Sequence, residues 1–178
     1  MTSRRKPFRP EAPFQMAASE STTHTDTTTE AVIAYVEIPA GYLNPGDVLE
    51  VLGVSEADAA NLTDTHKVNL VAYNVGGTQV ALATGEALDV ASGDAHESRA
   101  SFIFEAIGAL TVATIKGMGT ALWSTSGAAL TPTAISDATN LATTSAIRIG
   151  ISVDHSVAHA NNQTSCKLLV VKVNGSPV

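Results

Sequence analysis

Charge is scarce in this chain. Charged residues make up 15% of its 178 positions, against roughly 25% in an ordinary globular protein. Aromatic residues make up 4%, with a single tryptophan and a single cysteine. One cysteine cannot form an internal bridge, so nothing suggests a disulfide-stapled secreted scaffold. No apolar run approaches the roughly 18 residues of a membrane-spanning helix. The shortage of ionisable and aromatic groups favours a non-catalytic role over an enzyme. Ala, Thr, Ser, Val and Gly fill the space instead. Disordered chains are usually highly charged and poor in β-branched residues, so this composition predicts folding. The length suits one domain with a buried core.

The charge that exists is unevenly placed. Arg4, Arg5, Lys6 and Arg9 lie in the first nine positions and every acid comes later; residues 10–178 hold six basic residues against 17 acids, a net of −11. Phosphate contacts need clustered Lys and Arg, so the acidic body argues against nucleic-acid binding by the folded domain. The basic head suits an acidic protein surface better than nucleic acid, because no aromatic stacking platform accompanies it. Ser3-Arg4-Arg5-Lys6 has the look of a twin-arginine export signal, but Arg9, Pro10, Glu11 and Pro13 stand where the apolar stretch belongs, so no export is expected.

Residues 1–30 read as an extended N-terminal arm. Pro7, Pro10 and Pro13 favour extended backbone, with Phe8 and Phe14 between them. Ser19 to Glu30 is nearly all Ser, Thr, Asp, Glu and His. Neither part has the apolar content of a core. Fully extended, such an arm reaches on the order of 100 Å at ~3.3 Å per residue.

From Val32 the apolar period becomes two, the signature of strands. Val32, Ala34, Val36 and Ile38 share one face, and Asn44-Pro45-Gly46-Asp47 is a turn before Val48–Leu52. Ser55–Asn61 is a short helical candidate with Ser55 as its N-cap. His66–Asn74 alternates again, and Gly76-Gly77 turns the chain into Thr78–Ala83. Gly85–Gly93 reads as a loop. Ser98–Ile107 places Phe102 and Phe104 on one face; Ala109–Lys116 and Thr120–Ser124 follow. Ser126–Ser145 is a polar excursion. Ile147, Ile149, Ile151 and Val153 then point one way and Arg148, Gly150 and Ser152 the other. Cys166–Val173 is apolar on nearly both faces. Eight or nine short strands with turns between them predict residues 31–178 to be an all-β domain, an antiparallel β-sandwich of jelly-roll type, with a closed barrel as the next choice.

Candidate chemistry is thin. Asp154–Gln163 is the densest polar run. His155 and His159, at i and i+4, would share a helical face and hold zinc, but the segment follows a strong strand and lacks an evident third ligand. His24, His66 and His96 lie elsewhere in the sequence. Gly150-Ile151-Ser152-Val153-Asp154 lacks the second glycine of a nucleophile elbow. Gly76-Gly77 and Gly117-Met118-Gly119 match no phosphate-binding loop. Asp94-Ala95-His96-Glu97 reads as a charged turn before it reads as a cation site. Trp123 is expected to be a core or interface anchor, and Cys166 a small buried hydrophobe. Asn61-Leu62-Thr63 and Asn162-Gln163-Thr164 fit the glycosylation pattern by chance in a Thr-rich chain. No catalytic residue, metal or cofactor is expected.

The order of features from Ile38-Pro39-Ala40-Gly41 and Gly46-Asp47-Val48-Leu49, through Val68-Asn69-Leu70 and Ser101-Phe102-Ile103-Phe104, to Ile147-Arg148-Ile149-Gly150-Ile151-Ser152 and Leu168-Leu169-Val170-Val171-Lys172-Val173 resembles the small jelly-roll proteins of tailed-bacteriophage virions. These are capsid decoration (cement) proteins and tail-fibre or spike knobs, usually trimers. The resemblance implies a homotrimer on the virion surface whose partners are its own copies, the major capsid protein and neighbouring decoration trimers. It implies no catalytic residues, no cofactor and no membrane. On this reading Arg4, Arg5, Lys6, Phe8, Arg9 and Phe14 carry the arm's contacts. The alternative it leaves open is a receptor- or glycan-binding knob, using the loops around Gly85–Glu97 and Ser126–Thr144 with Trp123 nearby.

Overall fold

The computed structural model describes residues 14–17, 22–61, 63–108, 113–117, 120–124, 131–134 and 138–175. Among the described residues there is no helix, and the strands in chain order are β1 (Phe14–Ala17), β2 (His24–Thr25), β3 (Ala31–Ile38), β4 (Val48–Ala59), β5 (Thr65–Asn74), β6 (Val80–Asp89) and β7 (Ala95–Ala106). The chain continues through β8 (Ala113–Gly117), β9 (Thr120–Ser124), β10 (Thr131–Ala134), β11 (Ala138–Leu141), β12 (Ile147–His155) and β13 (Gln163–Asn174). They form two antiparallel sheets in a sandwich-like arrangement. The larger runs β1-β13-β4-β7-β8-β11, with β2 also on β13, β9 on β7 and β10 on β9; the smaller runs β3-β12-β5-β6.

Alternation decides which face meets the core. Ile147, Ile149, Ile151 and Val153 of β12 are buried inward, as are Val68, Leu70 and Ala72 of β5 and Ala34, Val36 and Ile38 of β3. The opposing sheet contributes Leu49 and Val51 from β4, Phe102 and Phe104 from β7, and Leu169, Val171 and Val173 from β13. Each Val, Leu, Ile or Phe side chain among them, fully buried, adds roughly 1.5–3 kcal/mol. The turns are chemically ordinary. Gly46 (φ 88°) sits in a turn closed by Asp47 N–H to Asn44 O at 3.1 Å, with the Asp47 carboxylate accepting from Asn44 N–H at 2.8 Å. Gly76 takes φ 75° in the hairpin from β5 to β6, where Gly77 N–H donates to Asn74 O at 2.8 Å.

Four sequence expectations change. Ser55–Asn61 is no helix: Ser55 and Ala57 are buried and Glu56 faces outward, because Ser55–Ala59 extends β4, paired with β13 as far as Ala59 and with β7 as far as Glu56. Tertiary pairing on both edges overrides a short run of helix formers. Most of the expected loop Gly85–Gly93 belongs to β6, which pairs β5 as far as Thr65–Asp89 through two register shifts. The polar excursion 126–145 contains β10 and β11. Last, two pieces of the presumed arm lie on the domain itself: Phe14–Ala17 pairs Val173–Val170, and His24–Thr25 pairs Thr164–Gln163. Both pieces line the same edge of β13, opposite its partner β4, and so shield backbone groups that an open edge would present to other chains.

A bulge in β13 shapes the outer surface. The register with β4 shifts between Cys166 and Leu168, so Lys167 and Leu168 both face outward. This slip explains why the last strand reads as apolar on both faces.

Candidate functional site

At one end of the sandwich the inward positions change from aliphatic to polar. His66 continues the inward row of Val68 and Leu70, His155 continues that of Val153, and His96 continues that of Ser98 and Ala100. His24 enters from β2, opposite Thr164. All four rings are buried, at 4% exposure or less. His66 and His155 face each other across the β5/β12 pair; their ring centroids are 4.2 Å apart and tilted by 33°. His24 meets His155 edge to face at 4.5 Å.

The fully buried Thr164 hydroxyl joins two of the rings, lying 3.0 Å from His155 Nε2 and 2.9 Å from His66 Nδ1. With its single proton in the bridge, a hydroxyl donates to one ring and accepts from the other. His66 and His155 are then held in the same tautomer, both Nδ1–H or both Nε2–H. A proton added to the pair makes both bridging nitrogens donors and turns the hydroxyl proton out of the bridge.

Around this cluster runs an amide network. Asn162 Nδ2 donates to Asp64 Oδ2 at 2.8 Å and to Val157 O at 3.1 Å, while its Oδ1 accepts from Asn61 N–H at 3.0 Å. Asn61 Nδ2 also donates to Asp64 Oδ2, at 3.1 Å. These amides hold the Asp64 carboxyl below its usual range, with smaller help from His159 and His66. The network fixes the loop before β5 against the loop before β13.

Burial determines the electrostatics. It pushes His155 down to about 3 and His96 down to about 4, with His66 adding repulsion in both cases. It also lowers His66, where Asn162 and Asp64 pull the other way, and His24, where Asp154 and the Thr27 backbone do. The rings are therefore neutral near pH 7. Two unit charges about 4 Å apart repel by ~4 kcal/mol at an effective dielectric of ~20, so double protonation of a stacked pair is strongly opposed.

Neutral imidazoles are potential metal ligands, yet the described residues contain no group of three or more His, Cys, Asp or Glu side chains placed to hold an ion. The pair read from sequence is also split: His155 is in the cluster, whereas His159 lies in the exposed loop and accepts from Asn161 N–H through Nδ1 at 3.1 Å. Cys166 is buried, its thiol lifted to about 11, so it is no nucleophile at neutral pH. Asp94 closes a turn by accepting from Ala91 N–H at 2.9 Å, and Trp123 lies in β9 opposite Ser98 and Thr131.

Two features mark the outer faces of the sheets. On the outer face of the smaller sheet, the Arg148 guanidinium lies 4.1 Å over the Tyr35 ring and its Nε donates to Glu37 at 3.0 Å. Tyr73 meets Tyr35 edge-on at 6.4 Å. On the outer face of the larger sheet, Val170 is level with Leu52 and Leu168 with Val54. Charged pairs flank this apolar block: Lys172 with Glu50 at 3.2 Å, and Lys167 with Asp58 at 2.6 Å.

Of the six expected arm contacts, Arg4, Arg5, Lys6, Phe8 and Arg9 lie outside the described residues, and Phe14 opens β1 in register with Val173. Spacing along the sequence does not unite the histidine cluster, whose members come from β2, β5 and β12 with His96 on β7. The signal was parity: His66 and His155 occupy inward positions of the two clearest alternating strands. In comparisons with known proteins the chain matches no family model, no curated protein and no solved structure, so its function is read from its own surfaces and interior.

Proposed function

We propose that this chain is a structural virion protein, a decoration module that forms trimers on the outside of a tailed-phage head and stabilises the shell. The observation that carries this reading is the outer face of the larger sheet. Leu52, Val54, Leu168 and Val170 form a contiguous apolar block between the two flanking ion pairs, and Leu168 is 40% exposed. An apolar centre with a charged rim is the composition of a protein–protein interface. Closed three-fold assembly would cover such a face without open polymerisation. The jelly-roll classification belongs to this proposal and draws on the repeated passage of the chain between sheets, at β3 to β4, β4 to β5, β6 to β7 and β12 to β13. Arg4, Arg5, Lys6, Phe8 and Arg9 would then engage the capsid protein or an adjacent trimer, adding a second attachment through effective concentration.

Light scattering on the full chain tests the reading. A particle of three times the 18.3 kDa chain mass is expected; a monomer at tens of micromolar would overturn it.

A glycan-binding knob is the second reading, and the Tyr35, Tyr73, Arg148 and Glu37 patch favours it. Half-exposed rings beside fixed charges can stack on a sugar and orient its hydroxyls. Binding on a glycan array that Y73A abolishes would move the assignment from head to fibre.

A further inference from the structure

We propose that His24, His66 and His155 form an acid-operated latch, which holds the N-terminal segment at His24–Thr25 against β13 and releases it when the cluster takes up protons. The inference is read within one chain and does not depend on the assembly proposal.

The three rings come from different parts of the fold and meet in one buried place. His66 and His155 are anchored in strands of ten and nine residues in the middle of the smaller sheet. His24 belongs to a strand of two residues. Among the described residues its hold on the domain includes the pairing with Thr164 and Gln163, the Thr22 N–H to Ile33 O bond of 2.8 Å, a long 3.5 Å contact from Thr25 Oγ1 to Ala160 O, and the His24–His155 ring contact. The chain then leaves through Asp26 in the left-handed region, at φ 52°. Such a short element opens locally at far lower free energy than the strands beside it.

Protonation makes that element the one to yield. The Thr164 bridge accommodates two neutral rings of like tautomer, and an added proton leaves an imidazolium stacked on His66 or His155 with His24 at its edge. The charged groups facing the cluster offset burial only in part. Asp64, whose Oδ2 accepts from Asn61 and Asn162, favours a charge on His66 and His155, but burial is the larger effect at both rings. Asp154 lies outward on β12 and supports charge on His24 alone among the three. Asp94 acts on His96, which adds its own repulsion if charged. His159 acts on Asp64 rather than on any of the three rings. Charge on the buried pair is therefore relieved most easily by moving His24 into water, where its ring is solvated and its partners lose a neighbour.

Hydrogen exchange with mass spectrometry on the full chain, corrected for intrinsic rates, tests the latch. Between pH 7.5 and 5.0, residues 22–30 should lose at least tenfold in protection while 147–155 and 163–174 keep theirs. H24F, which fills the same space without titrating, should keep residues 22–30 protected at pH 5.0. Unchanged protection of 22–30, equal loss in H24F, or simultaneous loss across all segments would each overturn the proposal. If H24F does not fold, an NMR titration of the wild-type histidines decides. His24 must gain its proton over the pH range where 22–30 opens; a His24 still neutral at pH 4 overturns the latch.

Discussion

His66 and His155, level with each other across β5 and β12, stack at 4.2 Å and share one hydroxyl, that of Thr164. The bridge makes the two rings a single unit. T164V keeps the side-chain volume and removes both hydrogen bonds, leaving two buried ring nitrogens unpaired. An unsatisfied buried polar group costs about 1–3 kcal/mol. The expected result is a lower urea midpoint with an unchanged m-value. An unaltered midpoint would show that the bridge contributes nothing to the fold.

The same cluster predicts the pH profile of stability. These are bases whose folded values are depressed, His155 to about 3 and His96 to about 4, with His24 and His66 also lowered. The unfolded chain protonates near 6.5, so their contribution is complete above that pH and is lost as pH falls toward 4. Each proton bound by the unfolded chain and refused by the fold changes stability by about 1.4 kcal/mol per pH unit. Asp58 and Asp64, both lowered from 3.8, add a second loss only below that value. Urea unfolding at pH 7.5, 6.5, 5.5 and 4.5 should show a plateau and then a decline beginning near 6.5. A profile flat to pH 4.5 would contradict the buried neutral state.

How much of this was legible before the structure follows from periodicity. Ile147–Val153 and Val68–Ala72 alternate so regularly that their buried faces can be read directly. Phe102 and Phe104 are readable for the same reason. Ser55–Asn61 misleads because Glu, Ala and Asp favour helix locally, while only pairing with β13 and β7 makes the stretch a strand. The cluster was half visible. His66 and His155 sit at inward parity, but their adjacency depends on the β5/β12 register, and that of His24 on an edge pairing set by the whole topology. Sequence spacing instead selected His155 with His159, a pair that only a helix would unite.

Gly150 offers a check on sheet packing independent of any titration. A Cβ there would stand 2.7 Å from the Ala34 carbonyl oxygen and 3.1 Å from Val32 Cγ1. Backbone cannot withdraw as a flexible side chain can, so G150A must push β3 away from β12. Overpacking of this kind costs typically 1–3 kcal/mol. G150A should lower stability by that amount, and V75A, at a 59% exposed turn position, should leave it unchanged. Equal midpoints for the two variants would mean that the β3/β12 approach is looser than it stands here.

The assembly face can be separated from the fold by charge. Leu168 faces outward only because of the bulge after Cys166, and it lies level with half-buried Val54. Aspartate at 168 changes no core contact, so the monomer should keep its far-ultraviolet spectrum and its urea midpoint within about 0.5 kcal/mol, as for other surface substitutions. In a trimer the same carboxylate would be buried without a partner, which costs several kcal/mol per interface. L168D is therefore expected to scatter as a folded monomer where the wild type scatters as a trimer. R4E/R5E/K6E/R9E should do the reverse, preserving the trimer and weakening attachment to capsids at least tenfold. If L168D remains trimeric, the outer face of the larger sheet is not where the copies meet, and the Tyr35–Arg148–Tyr73 face of the smaller sheet becomes the surface to mutate.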